Sequence, residues 1–355
     1  PRICKVKSVD QQVFDRQASI CKAFANPSRL HLLDMLGQGE RAVSDLQAEL
    51  GITKANLSQH LSILRSAGVN RISMGVQSLD AALLERLGRV RGGEKDGIKF
   101  FKGIPYAAST AGKNRFMPPT APASWTGTRD ALAWGPTAPQ TSPGETQAEA
   151  GVEGEDCLVL NVFTPAMGDG RRRPVMVWLH GGGYAGGSGN WVLYDGTNLA
   201  RKENVVVVAV THRLNLFGFL HLSDLGAGEK WANASNVGMQ DLVAALTWVK
   251  ENIAAFGGNP SNVTIFGQSG GGGKVSTLMA MPSAKGLFHR AVAMSGSTLR
   301  GATRESATRA AEQFLARLSI TPAQLDRLQQ MPWQRVNEAF LTGARIPGLA
   351  GGPVV

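Results

Sequence analysis

The residues Gly267-Gln268-Ser269-Gly270-Gly271 follow directly on the apolar run Val263-Thr264-Ile265-Phe266 and open into a segment of helical character. A β-branched run that ends in Gly-x-Ser-x-Gly is the signature of a nucleophile elbow, a sharp strand-to-helix turn that lifts a serine hydroxyl into the open. The glycines permit the tight backbone of that turn. A serine hydroxyl needs a neighbouring base to take its proton, normally histidine. The six histidines are His31, His60, His180, His212, His221 and His289, and only His289 follows Ser269. His289 precedes the apolar strand Ala291-Val292-Ala293 and reads as a surface or strand-edge residue. His180 reads as a loop-shaping residue and His212 as a structural one near a strand end. The expectation is a nucleophile without its usual base.

The elements around this turn must hold it rigidly. Pro174 to Leu179 and Val205 to Val210 are continuous apolar runs, the pattern of buried parallel strands. Between them and the elbow, Leu242, Leu246, Val249 and Ile253 recur at helical spacing within Val237–Phe256. Strands alternating with helices predict a parallel sheet covered on both faces. Asp241 and Glu251 lie on the predicted helix, where charged residues mostly face solvent. The sequon Asn262-Val263-Thr264 opens a buried strand and is discounted as a glycosylation site.

Bulk properties set wide limits. A chain of 355 residues suggests about two domains. The net charge of +10 suits anionic partners without naming one. Cys4, Cys21 and Cys157 are too few and too scattered for a disulfide framework or a metal cluster, which fits a reducing, cytoplasmic setting. No apolar run is long enough to span a bilayer, and no signal-peptide core opens the chain. No cofactor and no metal site is expected.

Residues 88–355 resemble the type-B carboxylesterase family of α/β-hydrolases, nearest its para-nitrobenzyl-esterase-like members. The resemblance runs through Phe101-Lys102-Gly103-Ile104-Pro105-Tyr106, Glu155-Asp156-Cys157-Leu158, His180-Gly181-Gly182-Gly183-Tyr184, Asn236-Val237-Gly238-Met239-Gln240-Asp241, Phe256-Gly257-Gly258-Asn259-Pro260, the elbow, and Met294-Ser295-Gly296-Ser297. It implies carboxylic-ester hydrolysis through an acyl-enzyme on Ser269. It also implies an oxyanion hole from the N–H groups of Gly182, Gly183 and Gly270, which would meet the charge that attack places on the carbonyl oxygen. Glu155 and Asp156 are implied to be packing and ion-pair residues. Where many exported relatives have a partner for Cys157, this chain has Ala138, so Cys157 should be a free thiol.

A larger departure concerns the triad. The family's acid and histidine come well after the elbow, whereas the residues after Ser297 supply only helical material, Ser306–Leu318 and Ala323–Gln330. The expectation is a truncated, inactive or weak hydrolase with an open sheet edge, since losing one triad member leaves only a residue of the rate.

Residues 13–67 resemble the ArsR-type winged helix-turn-helix regulators through Phe24-Ala25-Asn26-Pro27-Ser28-Arg29-Leu30 and Ile52 to Leu61. Pro27 suits a first helical turn, Ser44 and Thr53 are candidate N-caps, and Gly51 should stop a helix. Leu57, Leu61 and Leu64 would pack inward, leaving Lys54, Asn56, Ser58 and Gln59 to meet double-stranded DNA in a major groove. His60 reads as a packed residue. The alternative is a small helical unit that binds nothing. The metal-sensing Cys-x-Cys of some relatives is absent from Arg41–Leu46, and the wing expected after Gly68 is missing, which predicts weak, salt-sensitive binding.

Residues 68–90 resemble a short piece of an oxygen-independent coproporphyrinogen oxidase, read as a strand and a helix capped by Ser78, without the cysteines of its iron–sulfur site. The three stretches meet at Ala67-Gly68-Val69 and Gly88-Arg89-Val90, a mosaic that suggests an assembly or recombination product. The expected architecture is an incomplete α/β-hydrolase sheet with helices on both faces (91–355), preceded by a small all-α helix-turn-helix unit (1–67) and a bridge (68–90). The leading function is hydrolysis of small carboxylic esters, with no membrane partner. The alternative is a DNA-binding regulator carrying a non-catalytic hydrolase-like module.

Overall fold

Three β-branched apolar runs stack side by side to make the centre of a seven-stranded sheet. The computed structural model describes residues 26–37, 43–66, 89–140 and 152–342, together with 344, 346–349 and 352–354. The chain divides into two compact units, Pro1–Glu85 and Arg86–Val355. Most of the bridge read from sequence, including Ser78, lies outside the described residues.

The described part of the first unit is helical: α1 (Pro27–Gly37), α2 (Val43–Leu50) and α3 (Lys54–Ser66). Pro27 opens α1, and the Asn26 side chain accepts from the Arg29 N–H at 3.2 Å. Gly51 adopts φ +63° straight after α2, as a helix stop requires. Thr53 caps α3, its hydroxyl accepting from the Asn56 N–H at 3.3 Å. Ser44 does not cap. It sits inside the first turn of α2 and donates to the Asp45 carboxylate instead. Leu32, Met35, Leu46 and Leu57 are buried together, with Leu61 packed against them. The side chain of Leu64 lies outside the described set.

The second unit opens with β1 (Arg89–Arg91), β2 (Gly93–Lys95), β3 (Ile98–Pro105), β4 (Thr128–Asp130), β5 (Val159–Thr164) and β6 (Arg173–Leu179). After them come α4 (Thr197–Glu203), β7 (Val206–Val210), α5 (Asn215–Phe219), α6 (Val237–Asn252), β8 (Gly258–Gln268), α7 (Gly270–Ala280) and β9 (Arg290–Met294). The chain continues through α8 (Arg304–Arg317), α9 (Asp326–Gln330) and α10 (Trp333–Leu341). The main sheet runs β2-β3-β5-β7-β6-β8-β9, while β1 and β4 form a separate parallel pair.

The sheet is mixed, not parallel throughout. β7, β6, β8 and β9 are parallel neighbours, but β2, β3 and β5 join antiparallel. The antiparallel part needs no helical crossover, so the strand–helix alternation of the later chain did not report it. β9 pairs with β8 alone, and its residues are exposed or half-buried, so it forms an open edge among the described residues.

Leu242, Leu246, Val249 and Ile253 are all fully buried, as their spacing predicts for α6 and the short 3-10 turn that follows. Asp241 corrects the solvent-facing reading. It is fully buried, and its carboxylate accepts from the Arg213 guanidinium at 2.6 and 2.8 Å and from the Arg213 N–H at 3.1 Å. Arg213 also donates to the Met117 carbonyl at 2.7 Å. A second buried pair, Arg115–Glu155 at 2.5 and 2.6 Å, ties the strand-entry loop down, and Asp156 stays exposed.

Removing one partner of a buried pair leaves a naked charge inside the protein. Asp241→Ala should therefore lower unfolding free energy by about 3–5 kcal/mol in urea titration. A loss below about 1 kcal/mol, the range of surface pairs, would contradict this account.

Candidate active site

Register gathers the site. Leu179 of β6 lies opposite both Val210 of β7 and Gly267 of β8, so all three strands end at one level. The loops that leave this rim carry His180 to Tyr184, Thr211 to Asn215, and the elbow.

The backbone of the elbow is strained at Ser269. Ser269 adopts φ 56° and ψ −123°, a conformation that L-residues rarely take, between β8 and α7. Its N–H donates to the Met294 carbonyl at 2.8 Å, and the residue is exposed. The glycines around it are required by contact as well as by backbone angle. A Cβ on Gly267 would fall 2.6 Å from the Gly271 backbone and 2.7 Å from the Leu179 carbonyl oxygen. A Cβ on Gly270 would fall 2.5 Å from both N and Cα of Gly183. The helix carrying the serine thus presses backbone to backbone against the glycine loop.

In that loop Gly182 has φ +85° and Gly183 φ +64°. Gly181 lies near enough for an added Cβ to sit 3.7 Å from the Ser269 Cβ. The glycine loop therefore lies directly against the serine turn.

Among the described residues, no histidine of this unit is hydrogen-bonded to Ser269. His289 accepts from the Val263 N–H at 3.1 Å, midway along β8. Six residues of strand separate Val263 from Ser269, about 20 Å at 3.3 Å per residue. His180 and His212 are fully buried and stacked with centroids 5.0 Å apart. Each donates from Nδ1 to a carbonyl, that of Gly181 at 2.8 Å and of Arg213 at 2.7 Å. Burial, then the nearby Lys274 charge, holds both far below the usual histidine range. They shape the loops. His221 is bound to Ser235 and Asp224.

Lys274 is the residue that sequence reading missed. Five positions after the serine on α7, it is fully buried and donates to the His180 carbonyl at 2.8 Å, at the entrance to the glycine loop. Its Nζ also lies 5.6 Å from the Tyr184 ring centre. Nothing in a lone lysine on a small-residue helix signals burial, so no sequence cue marked it. Cys157 is buried and free, as expected once Ala138 replaces its partner, and burial pushes its thiol far up.

In the first unit, Lys54, Asn56, Ser58 and Gln59 are all exposed on α3, while Leu57 between them is buried. Among the described residues, no group of three or more His, Cys, Asp or Glu side chains could hold a metal, and no helix is long and apolar enough to cross a membrane.

A mixed sheet flanked by helices, with a strained serine at the tip of a central parallel strand, defines an α/β-hydrolase. The carboxylesterase family model matches residues 80–355, and this chain belongs to that family. The match begins inside the stretch read from sequence as a separate bridge. The model of the bacterial regulatory protein, arsR family, matches residues 26–69. The chain is 45% identical over 243 residues to the para-nitrobenzyl esterase of Bacillus subtilis (strain 168), covering 68% of this chain and 48% of that protein. It is 40% identical over 249 residues to the phenmedipham hydrolase of Pseudarthrobacter oxydans, with the same two shares. Among solved structures, the Geobacillus stearothermophilus carboxylesterase EST55 at pH 6.2 superposes with a TM-score of 0.70 at 45% identity, over 76% of this chain and 54% of that one. The chain spans about half the length of the curated relatives it matches.

Burial pushes the Lys274 ammonium down to about 7, from an ordinary value of 10.5. Between those two values the unfolded chain holds a proton that the folded chain has released. This group therefore makes stability rise with pH across that window and adds no slope below it. Lys274→Met should flatten the slope, so that its stability relative to the native chain drops by roughly 2–4 kcal/mol from pH 7 to 10. Parallel curves for the two chains would contradict the assignment.

Proposed function

We propose that the second unit carries a carboxylic-ester hydrolase site, with Ser269 as nucleophile and the N–H groups of Gly182, Gly183 and Gly270 as oxyanion donors. The observation that carries this reading is the exposed, positive-φ serine pressed against the glycine loop. Its substrates are small carboxylic esters, the class named by the para-nitrobenzyl esterase it resembles. In the reaction the Ser269 oxygen bonds the acyl carbon and the ester's alcohol leaves. Water then returns the acid and frees the serine.

The step that lacks a residue is proton transfer. No histidine of this unit is hydrogen-bonded to Ser269, and on this reading the chain should turn over weakly. In serine hydrolases the triad acts as a unit, and losing one member forfeits nearly the whole effect. With a para-nitrophenyl ester, Ser269→Ala should therefore change turnover by less than about tenfold. A fluorophosphonate should still modify Ser269 slowly in the folded chain and not in the urea-unfolded one. Rapid turnover that vanishes in Ser269→Ala would show that a base reaches the serine after all, and failure to modify Ser269 would remove the nucleophile assignment.

A second reading concerns the first unit alone. The arsR-family match and the exposed polar set Lys54, Asn56, Ser58 and Gln59 on a capped helix support binding in the major groove of double-stranded DNA. Mobility-shift titration should give retardation at about 50 mM salt that fades by 10-fold or more near 200 mM. No retardation at the lower salt would sink this reading.

A further inference from the structure

A serine, a histidine and a carboxylate meet in the loop between α5 and α6, away from the elbow. The His221 Nδ1 lies 2.7 Å from the Ser235 hydroxyl, and its Nε2 lies 2.7 Å from Asp224 Oδ2. Asp224 is held in turn by the Arg304 guanidinium at 2.8 and 2.5 Å. The loop that brings them together is fixed: the Leu222 N–H donates to the Ala234 carbonyl at 3.1 Å, and both residues are buried beside Trp231. His221 is only 4% exposed, whereas Ser235 is half-buried and follows the exposed Ala232 and Asn233.

The bonding partners dictate the ring's protonation. Arg304 and then His221 hold the Asp224 carboxyl far below the usual range, so it accepts and the Nε2 must carry the hydrogen. In the neutral imidazole, Nδ1 is then left with a lone pair aimed at the serine O–H. That is a base poised on a nucleophile and oriented by a third group, the general logic of activated hydroxyls. Ser235 thus has what Ser269 lacks among the described residues. The serine also sits one residue before the N-cap of the 16-residue α6, whose positive end favours developing negative charge.

We propose that Ser235, His221 and Asp224 form a second acylatable site, open to small activated aryl esters and organophosphonyl compounds. The Ser235 oxygen bonds the acyl carbon while its proton moves to His221 Nδ1. The bond to the aryl oxygen breaks, and the proton passes on to that leaving group. Water attacks by the reverse route and releases the acid. Asp224 stays ionised throughout, orienting the ring and balancing the imidazolium.

The test separates this site from the elbow. Trypsin cuts after Lys230, Lys250 and Lys274, so Ser235 and Ser269 fall on different peptides. The full chain carrying Ser269→Ala is treated with a small fluorophosphonate and mapped by mass spectrometry. The site predicts an adduct on Ser235 that is absent from the urea-unfolded chain. Adding His221→Gln should slow its formation by at least about tenfold, in the range of general-base effects. Asp224→Asn, which leaves the ring in place, should also slow it while circular dichroism confirms the fold. No Ser235 adduct in the folded Ser269→Ala chain would overturn the proposal, as would an adduct rate unchanged by a folded His221→Gln. Neither result bears on Ser269, whose adduct is read separately in the native chain.

Discussion

Two stretches of backbone, Leu179–Gly183 and Gly267–Gly271, approach so closely that a Cβ added at Gly267, Gly270 or Gly271 would clash, and the site depends on that contact. Hydrogen bonds between β6 and β8 bring the strands to one level, and the glycines let the chain leave them without pushing the serine helix away. A hydroxyl on a flexible loop would not stand in a fixed relation to N–H donors. Here Ser269 and the glycine loop leave neighbouring strand ends of a single sheet, and preorganisation of that kind is what would give the proposed oxyanion donors their value.

Buried charge secures the surroundings of this contact. Arg213–Asp241 sits at the entrance to α5, and Lys274 fastens α7 to the start of the glycine loop. Such groups offer little net stability compared with apolar replacements of the same shape. What they supply is direction: a guanidinium fork or an ammonium satisfied by one carbonyl fixes a loop in a way that a leucine cannot. The two stacked imidazoles, each donating from Nδ1 to a neighbouring carbonyl, add to the same rigidity.

Much of this arrangement was legible in the residues. The elbow, the glycine loop, the apolar strands β6 and β7, and the four-residue stripe of α6 each carried a local pattern tied to a local cause. The cap at Thr53 and the stop at Gly51 were equally direct. What escaped notice had no local signature. Asp241 looks like any helical surface acid until Arg213, 28 residues away, is folded against it. Lys274 is hidden by the sheet end that packs over α7. Ser235, His221 and Asp224 are brought together by a loop's path, which no periodicity encodes. Ser44 failed as a cap because the helix begins one residue earlier, at Val43.

The central claim is geometric: a group bonded to Ser269 should place its oxygen among the N–H groups of Gly182, Gly183 and Gly270. A crystal structure of the phosphonylated protein tests this directly. The account predicts the phosphonyl oxygen within hydrogen-bond distance of at least two of those donors, roughly 2.7–3.1 Å away. An adduct on Ser269 whose oxygen points into solvent, with the glycine loop turned aside, would contradict it.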